Sequence, residues 1–328
     1  TNEVKNAEIA VFDQSNDVAT TTIINEINAS RYFEVIKNLH SYNEIGATFR
    51  QGKIRLAVVF PPNFQDNLLQ KNYAQIQLIA DASDPNTANT LTNYAMAIIH
   101  DYQQSLNQNK DLPYTITTNL RMLYNPELKS SYSFVPGVMA LVLMLVCAMM
   151  TSIAIVREKE LGTMEVILVS PLKPFRIIIA KTIPYLAVSI FNIACILLLS
   201  VYVLNVPING SLVLLVLESI LFTMTALAIG ILISNGAKTQ QSAMFTSLLS
   251  LFLPTLLFSG FLFPIESMPW PLQVISNIVP AKWYYIIVES VMIKGLGFWA
   301  VWKETLILII MTLALLGISI RNFKIRLA

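Results

Sequence analysis

The chain carries, at residues 134–165, the stretch FVPGVMALVLMLVCAMMTSIAIVREKELGTME. Residues 134–156 of this stretch contain no charged side chain, and about 20 apolar residues suffice for a helix to cross the hydrocarbon core of a membrane. The polarity of the sequence then changes abruptly, because five ionisable side chains follow within residues 157–165. We therefore predict a membrane-spanning helix that leaves the bilayer at Arg157.

Four more stretches have the length and apolar character of a membrane span. They are residues 177–203, 212–233, 243–263 and 300–320. The chain of 328 residues is 55% hydrophobic and only 13% charged, whereas an average soluble domain has about 25% charged residues. The composition argues against a disordered, nucleic-acid-binding or disulfide-scaffold protein. It predicts a polytopic α-helical membrane protein with five spans in this chain.

The first 130 residues differ in character from the rest. Residues 1–129 carry 10 basic and 13 acidic side chains, whereas residues 130–328 carry 12 and 7. In the first part, short apolar runs alternate with amphipathic stretches; residues 53–60 read as a strand that stops at Pro61. We predict an α+β domain at residues 1–130, in which no catalytic triad, phosphate loop or metal-ligand spacing is apparent. A transmembrane domain at residues 131–328 follows.

The distribution of basic residues predicts the orientation, because cytoplasmic loops of membrane proteins carry an excess of Lys and Arg. In this chain the basic residues concentrate after the first span, after the third span and in the C-terminal tail. They are Arg157, Lys159, Lys173, Arg176, Lys181, Lys238, Arg321, Lys324 and Arg326. We therefore expect a cytoplasmic C-terminus and an extracytoplasmic domain at residues 1–130. Export of that domain requires an earlier hydrophobic segment, so we expect a sixth span before Thr1 in the full-length protein.

Two segments between spans are neither free loops nor spans. Residues 157–171 predict a short amphipathic helix on the cytoplasmic surface, either solvated or docked on a partner. Its apolar face consists of Leu161, Met164, Ile167 and Leu168. Residues 264–299 are interrupted by prolines and rich in aromatic residues, which predicts one or two short helices that dip into the outer leaflet.

At both segments the chain resembles the membrane subunits of type-2 ATP-binding-cassette exporters, which have a large domain between spans one and two. Their coupling helix follows the pattern Arg-Glu-x-Glu-x-Gly-Thr-Met-Glu, with a proline a few residues later. The residues at these positions are Arg157, Glu158, Lys159, Glu160, Gly162, Thr163, Met164, Glu165 and Pro171. Their Ser-Gly-x-x-x-Pro-x-x-x-x-Pro run precedes a re-entrant hairpin. In this chain the run is matched by Ser259, Gly260, Pro264 and Pro269, and Pro280 stands at the position that usually closes the segment.

The resemblance implies a permease subunit of an ATP-driven exporter in a bacterial cytoplasmic (inner) membrane. Two such chains, alike or different, would form the translocation path, and the proline run would form an outer gate. Residues 157–171 would couple this path to separate ATPase subunits that bind ATP and Mg²⁺, so the chain itself would be neither an enzyme nor a cofactor-binding protein. Its nearest approach to a phosphate loop, residues 236–239, lacks the earlier Gly and the adjacent Gly-Lys pair. A periplasmic adaptor is a further candidate partner.

Two other classes of function stay open at this stage. A receptor or secretion-scaffold subunit with an external domain would not need a docking helix after the first span. A membrane enzyme would need converging His, Asp, Glu or Cys side chains at membrane depth, and Glu218 is the one acidic residue in the predicted spans apart from Glu304, which precedes the apolar run of the fifth. Glu218 itself has two interpretations, which are snorkelling to the outer surface and a contact at the external mouth of the pore.

Overall fold

The computed structural model describes residues 4–108, 113–163 and 174–322. The chain divides into two compact units, Thr1–Ser133 and Phe134–Ala328. The first unit is an α/β layer structure and the second is helical. The predicted class, an α-helical membrane protein with an N-terminal domain of mixed strands and helices, is confirmed.

The N-terminal unit is built on a five-stranded sheet with the strand order β2-β1-β3-β4-β5. Its strands are β1 (Ala7–Asp13), β2 (Phe33–Asn38), β3 (Leu56–Phe60), β4 (Tyr73–Asp81) and β5 (Thr115–Leu123). Strand β1 is parallel to both β2 and β3, β4 is antiparallel to β3, and β5 is parallel to β4. The intervening helices are α1 (Val18–Ala29), α2 (Tyr42–Arg50), α3 (Phe64–Lys71) and α4 (Pro85–Asn107).

Helices cover both faces of this sheet. Ile9 and Val11 of β1 share one apolar core with residues of α1, α3 and α4, whereas Ala10 and Phe12 share another with residues of α2. Strands that are buried on both faces read as continuous apolar runs. This explains why residues 56–60, the last part of the predicted strand at 53–60, are recognisable as a strand although they do not alternate in polarity.

Asp17 joins the beginnings of two of these helices. It is the N-cap of α1, where its carboxylate accepts a hydrogen bond from the backbone N–H of Thr20 at 2.8 Å. The same carboxylate accepts one from the backbone N–H of Gln65 in the first turn of α3, also at 2.8 Å. Burial raises the pKa of Asp17, but hydrogen bonds from Ser15, Thr20 and Gln65 outweigh it and hold the pKa below its ordinary value.

The second unit consists of long helices followed by a segment of short ones. The long helices are α5 (Ser131–Glu160), α6 (Pro174–Tyr202), α7 (Leu212–Gly236), α8 (Gln240–Phe258) and α11 (Phe298–Asn322). Between α8 and α11 lie a 3-10 turn (Ile265–Ser267), α9 (Trp270–Ser276), α10 (Pro280–Val288) and a π-turn (Glu289–Ile293). Each of the five long helices contains a stretch that is long and apolar enough to cross a membrane.

Two helix ends differ from the sequence-based bounds by more than three residues. Helix α5 continues through Arg157–Glu160, because Arg, Glu and Lys are good helix formers and no breaker lies between Val156 and Gly162. The start of the predicted surface helix is therefore the last turn of the first span, and residues 164–171 lie outside the described residues. Helix α8 ends at Phe258 and not at residue 263, because Gly260 adopts a φ of +88° that no helix accommodates.

Small and hydroxylated residues bring the long helices together. An added Cβ at Gly230 of α7 would lie 2.4 Å from the carbonyl oxygen of Ala148 in α5. Between α7 and α11, the hydroxyls of Thr225 and Thr312 are 2.6 Å apart, and Ser319 donates to the carbonyl of Ala228. Small side chains and interhelical hydrogen bonds are typical of helix packing in lipid.

We predict that Gly230→Ala destabilises the helical unit by about 1–3 kcal/mol, because the added methyl group overpacks the contact with Ala148. The measurement is thermal unfolding of the detergent-solubilised chain. Gly317→Ala is the matched control, since an added Cβ at this glycine of α11 has no neighbour within 4 Å. Equal melting temperatures for the two variants would contradict the close approach of α5 and α7.

We also predict that Asp17→Ala accelerates amide exchange in α1 at pH 7 by about 2- to 30-fold, the equivalent of losing one cap. Because the folded pKa of Asp17 is lowered, its contribution is complete above the unfolded value of about 3.9 and is lost as pH falls through the folded value. The difference between variant and native chain should therefore shrink below about pH 4. Asp66→Ala, which removes a carboxylate from the first turn of α3, should leave exchange in α1 unchanged.

Candidate functional site

The last turn of α5 ends at a glycine with a left-handed backbone. Gly162 has a φ of +72°, and its N–H donates to the carbonyl of Lys159 at 3.2 Å. The N–H of Leu161 donates to the carbonyl of Arg157 at 3.0 Å, so carbonyls at the helix end have partners. An added Cβ at Gly162 would meet nothing within 4 Å. The requirement for glycine therefore comes from the backbone conformation and not from space.

Glu158 and Thr163 close the chain back onto this helix end. The hydroxyl of Thr163 donates to the carboxylate of Glu158 and, at 3.2 Å, to its backbone carbonyl. Arg157, Leu161 and Thr163 are exposed, and Leu161 presents 63% of its surface to solvent. The end of α5 thus presents both charged and apolar groups to solvent.

Lys159 and Glu160 bind elsewhere in the same chain. The ammonium group of Lys159 donates to the backbone carbonyl of Ser234, in the last turn of α7, at 2.6 Å. The Oε2 atom of Glu160 accepts hydrogen bonds from the backbone N–H of Gln240, at 3.1 Å, and from its side-chain amide, at 3.0 Å. Gln240 is the first residue of α8. We call the set Lys159, Glu160, Ser234 and Gln240 the junction.

The other predicted residues of the coupling segment cannot be placed in this geometry. Met164, Glu165 and Pro171 lie outside the described residues. Residues 236–239, the nearest approach to a phosphate loop in the sequence, contain the end of α7 and the turn between α7 and α8.

The predicted gate residues form a chain reversal at the end of α8 that lies far from the junction. Ser259 is buried and its hydroxyl accepts from the N–H of Phe261, and Gly260 supplies the positive φ. The ring of Phe261 contacts the first turns of α5, where it lies edge-to-face with Phe134 at 5.7 Å. An added Cβ at Gly137 would clash with the same ring.

The three predicted prolines each stand at the beginning of a short helix, where a missing N–H costs nothing. Pro264 and Pro269 directly precede the 3-10 turn and α9, and Pro280 is the first residue of α10. The π-turn that follows is held by the link between α6 and α7. In this link, Asn209 donates from its backbone to the carbonyl of Met292 at 2.9 Å and from its side chain to that of Ile293 at 2.8 Å.

Comparison with known proteins places this architecture in a family. A family model described as ABC-2 family transporter protein matches residues 1–321. The chain belongs to the ABC-2 family of transporter proteins. Membership implies ATP-binding-cassette ATPase partners and agrees with the resemblance that the two sequence motifs indicate.

The similar proteins include three permeases from Escherichia coli strain K12. The chain is 31% identical over 310 residues to the probable multidrug ABC transporter permease YbhR. This alignment covers 94% of this chain and 84% of the relative. It is 33% identical over 255 residues to the probable multidrug ABC transporter permease YbhS, with coverages of 77% and 68%. It is 29% identical over 323 residues to the inner membrane transport permease YhhJ, with coverages of 97% and 85%.

Within this ABC-2 permease, Glu218 lies between α7 and α11. The side chain is 3% exposed, and its Oε1 accepts a hydrogen bond from the hydroxyl of Thr305 at 2.8 Å. Its Oε2 is buried and has no hydrogen-bond partner among the described residues. Next to it, Ser219 and Tyr284 of α10 are joined at 2.7 Å, so this region connects α7 to the hairpin segment.

Sequence reasoning missed the two junction residues that are not in the motif, Ser234 and Gln240. They are separated from Lys159 and Glu160 by 75 and 80 residues. In the sequence they are marked only by their places, just after the predicted third span and just before the predicted fourth. Among the described residues, no group of three or more His, Cys, Asp or Glu side chains is placed to hold a metal ion.

We predict that Gly162→Val frays the last turn of α5, because a β-branched residue is strained at positive φ by about 1–2 kcal/mol. Trypsin cleavage after Arg157 and Lys159 in the folded chain should accelerate about 5- to 30-fold. Gly162→Asn is the matched variant, since Asn tolerates the left-handed conformation. If trypsin cleavage accelerated equally in Gly162→Val and Gly162→Asn, the positive φ would not be the reason for a glycine at this position.

Proposed function

We propose that the chain is the membrane-spanning permease subunit of an ATP-driven exporter. Two copies of this chain, or this chain and a related one, form the translocation path. Separate ATPase subunits bind ATP and Mg²⁺ and dock on the segment that begins at Arg157. Membership in the ABC-2 family and the permease names of the similar proteins support this proposal.

The observation that carries the proposal is the geometry at the end of α5. A long apolar helix ends in a polar turn that contains Gly162 at positive φ and the contact between Glu158 and Thr163. Leu161 is an exposed apolar side chain on this turn. An apolar anchor with a polar rim is the usual composition of a protein–protein interface. We assign this end to the cytoplasm on the excess of basic residues, and the N-terminal unit to the extracytoplasmic side.

The chain supplies the pathway and not the chemistry in this proposal. Hydrolysis takes place in the partner subunit, and its conformational cycle moves the docking segment that begins at Arg157. The predicted gate at Ser259, Gly260 and the three prolines lies at the other end of α8, where it would close the path on the outer side. A periplasmic adaptor for the N-terminal unit is a separate candidate partner.

The test is affinity purification of the full-length chain in mild detergent with mass spectrometry of the bound proteins. We expect an ATPase with a phosphate loop in near-stoichiometric amount. Leu161→Asp should lower its recovery about fivefold or more, as expected when an interface anchor becomes charged. Val18→Asp is the matched control, because Val18 of the N-terminal unit is 74% exposed. Purification without any ATPase would contradict the proposed function.

A further inference from the structure

The junction brings together three helix ends with complementary needs. The first N–H groups and the last carbonyls of a helix have no partner within that helix. The carbonyl of Ser234 in α7 would require the N–H of residue 238, which lies beyond the helix end at Gly236. The N–H of Gln240 is the first of α8. Lys159 and Glu160 supply the partners that these two backbone groups lack.

The signs of the two charges match the helix dipoles. The C-terminal end of a helix carries partial negative charge and the N-terminal end carries partial positive charge. Lys159 binds the C-terminal end of α7, and Glu160, the next residue, binds the N-terminal end of α8. Exchanging the two residues would place each charge against a dipole end of like sign.

Packing below the junction attaches α5 to the same two helices. Val156 of α5 forms an apolar cluster with Ala237 of the turn and Ala243 of α8. One turn earlier, the hydroxyl of Ser152 lies 3.0 Å from that of Ser247 in α8. The last two turns of α5, the end of α7 and the start of α8 therefore form one packed body.

Helix α8 connects this body to the chain reversal at Ser259. It is helical over Gln240–Phe258, about 28 Å at 1.5 Å per residue, with Pro254 in its last part. A tilt imposed at Gln240 would therefore displace the reversal that follows Phe258.

From these contacts we propose that the junction is a relay, in which Lys159 and Glu160 transmit displacement of the docking segment to α7 and α8. They are positioning residues of the permease, whereas Arg157, Glu158 and Leu161 face the ATPase. This inference rests on the proposed function, because the displacement comes from the ATPase. It differs from the family resemblance, which assigns the whole motif to ATPase coupling without a division of roles.

The test compares two exchanges of neighbouring charges in the full transporter with its ATPase bound. The relay variant is Lys159→Glu with Glu160→Lys, and the matched control is Arg157→Glu with Glu158→Arg. Both keep the composition and the net charge.

The readout is the rate at which a maleimide labels Ile278→Cys, with and without ATP and vanadate. Ile278 lies between α9 and α10 and is 71% exposed, and the chain without this cysteine gives the background.

We expect ATP and vanadate to change the labelling rate at least twofold in the otherwise native chain. The relay variant should bind and activate the ATPase normally but lose more than half of this change. The control variant should instead reduce recovery of the ATPase. Loss of ATPase binding in the relay variant, a fully retained labelling change in it, or no labelling change in the native chain would each overturn the relay.

A second pair of variants guards against a general folding defect. Glu160→Gln keeps an oxygen that can accept from the N–H of Gln240, whereas Glu160→Ala removes it. We expect Gln to retain more of the labelling change than Ala, with equal elution on size exclusion for both. Equal labelling changes in the two variants would overturn the role of this hydrogen bond. Failure of the relay and failure of the proposed function are distinguishable. If the native chain purifies without an ATPase, both the proposed function and the relay fail. If the expected results fail only in the relay variants, the relay is overturned and the proposed function stands.

Discussion

The structure of the helical unit depends on the pairing of backbone groups at helix ends. Helix α7 ends at Gly236 and α8 begins at Gln240, so a negative and a positive dipole end lie next to each other. Two consecutive residues of α5 supply a cation to the first and an anion to the second. This pairing fixes the end of α5 relative to both helices. The position of α8 in turn fixes where the chain reverses at Ser259, and thus where the short helices begin.

The sequence was sufficient for the features that depend on local pattern. The five long apolar helices and the mixed N-terminal unit follow from composition and periodicity. The bounds were less accurate where two local signals compete. Residues 259–263 are apolar enough to extend the fourth span, but the backbone at Gly260 ends the helix first. Residues 157–160 are polar enough to leave a span, but their helix propensity keeps them in α5.

The contacts of the candidate site depend on tertiary packing and were not predictable in the same way. Lys159 reads as a variable position of a motif, and only the fold brings it to a carbonyl 75 residues away. Glu218 reads as a residue near the end of a span that could reach the surface, and the fold buries it against Thr305. In both cases the sequence gives the residue type and its depth, but not the neighbouring helix. Single-sequence patterns carry no information on which helices are adjacent.

The most direct test of the relay is a distance measurement between spin labels at Thr163→Cys and Lys238→Cys in the full transporter. These exposed positions follow α5 and lie in the turn between α7 and α8. If the junction holds the helix ends as one body, the distance distribution should stay the same with ATP and vanadate as without nucleotide. Over the same change of state, the distance from Lys238→Cys to a label at Ile278→Cys should shift. A change between Thr163 and Lys238 as large as that shift would contradict a rigid junction.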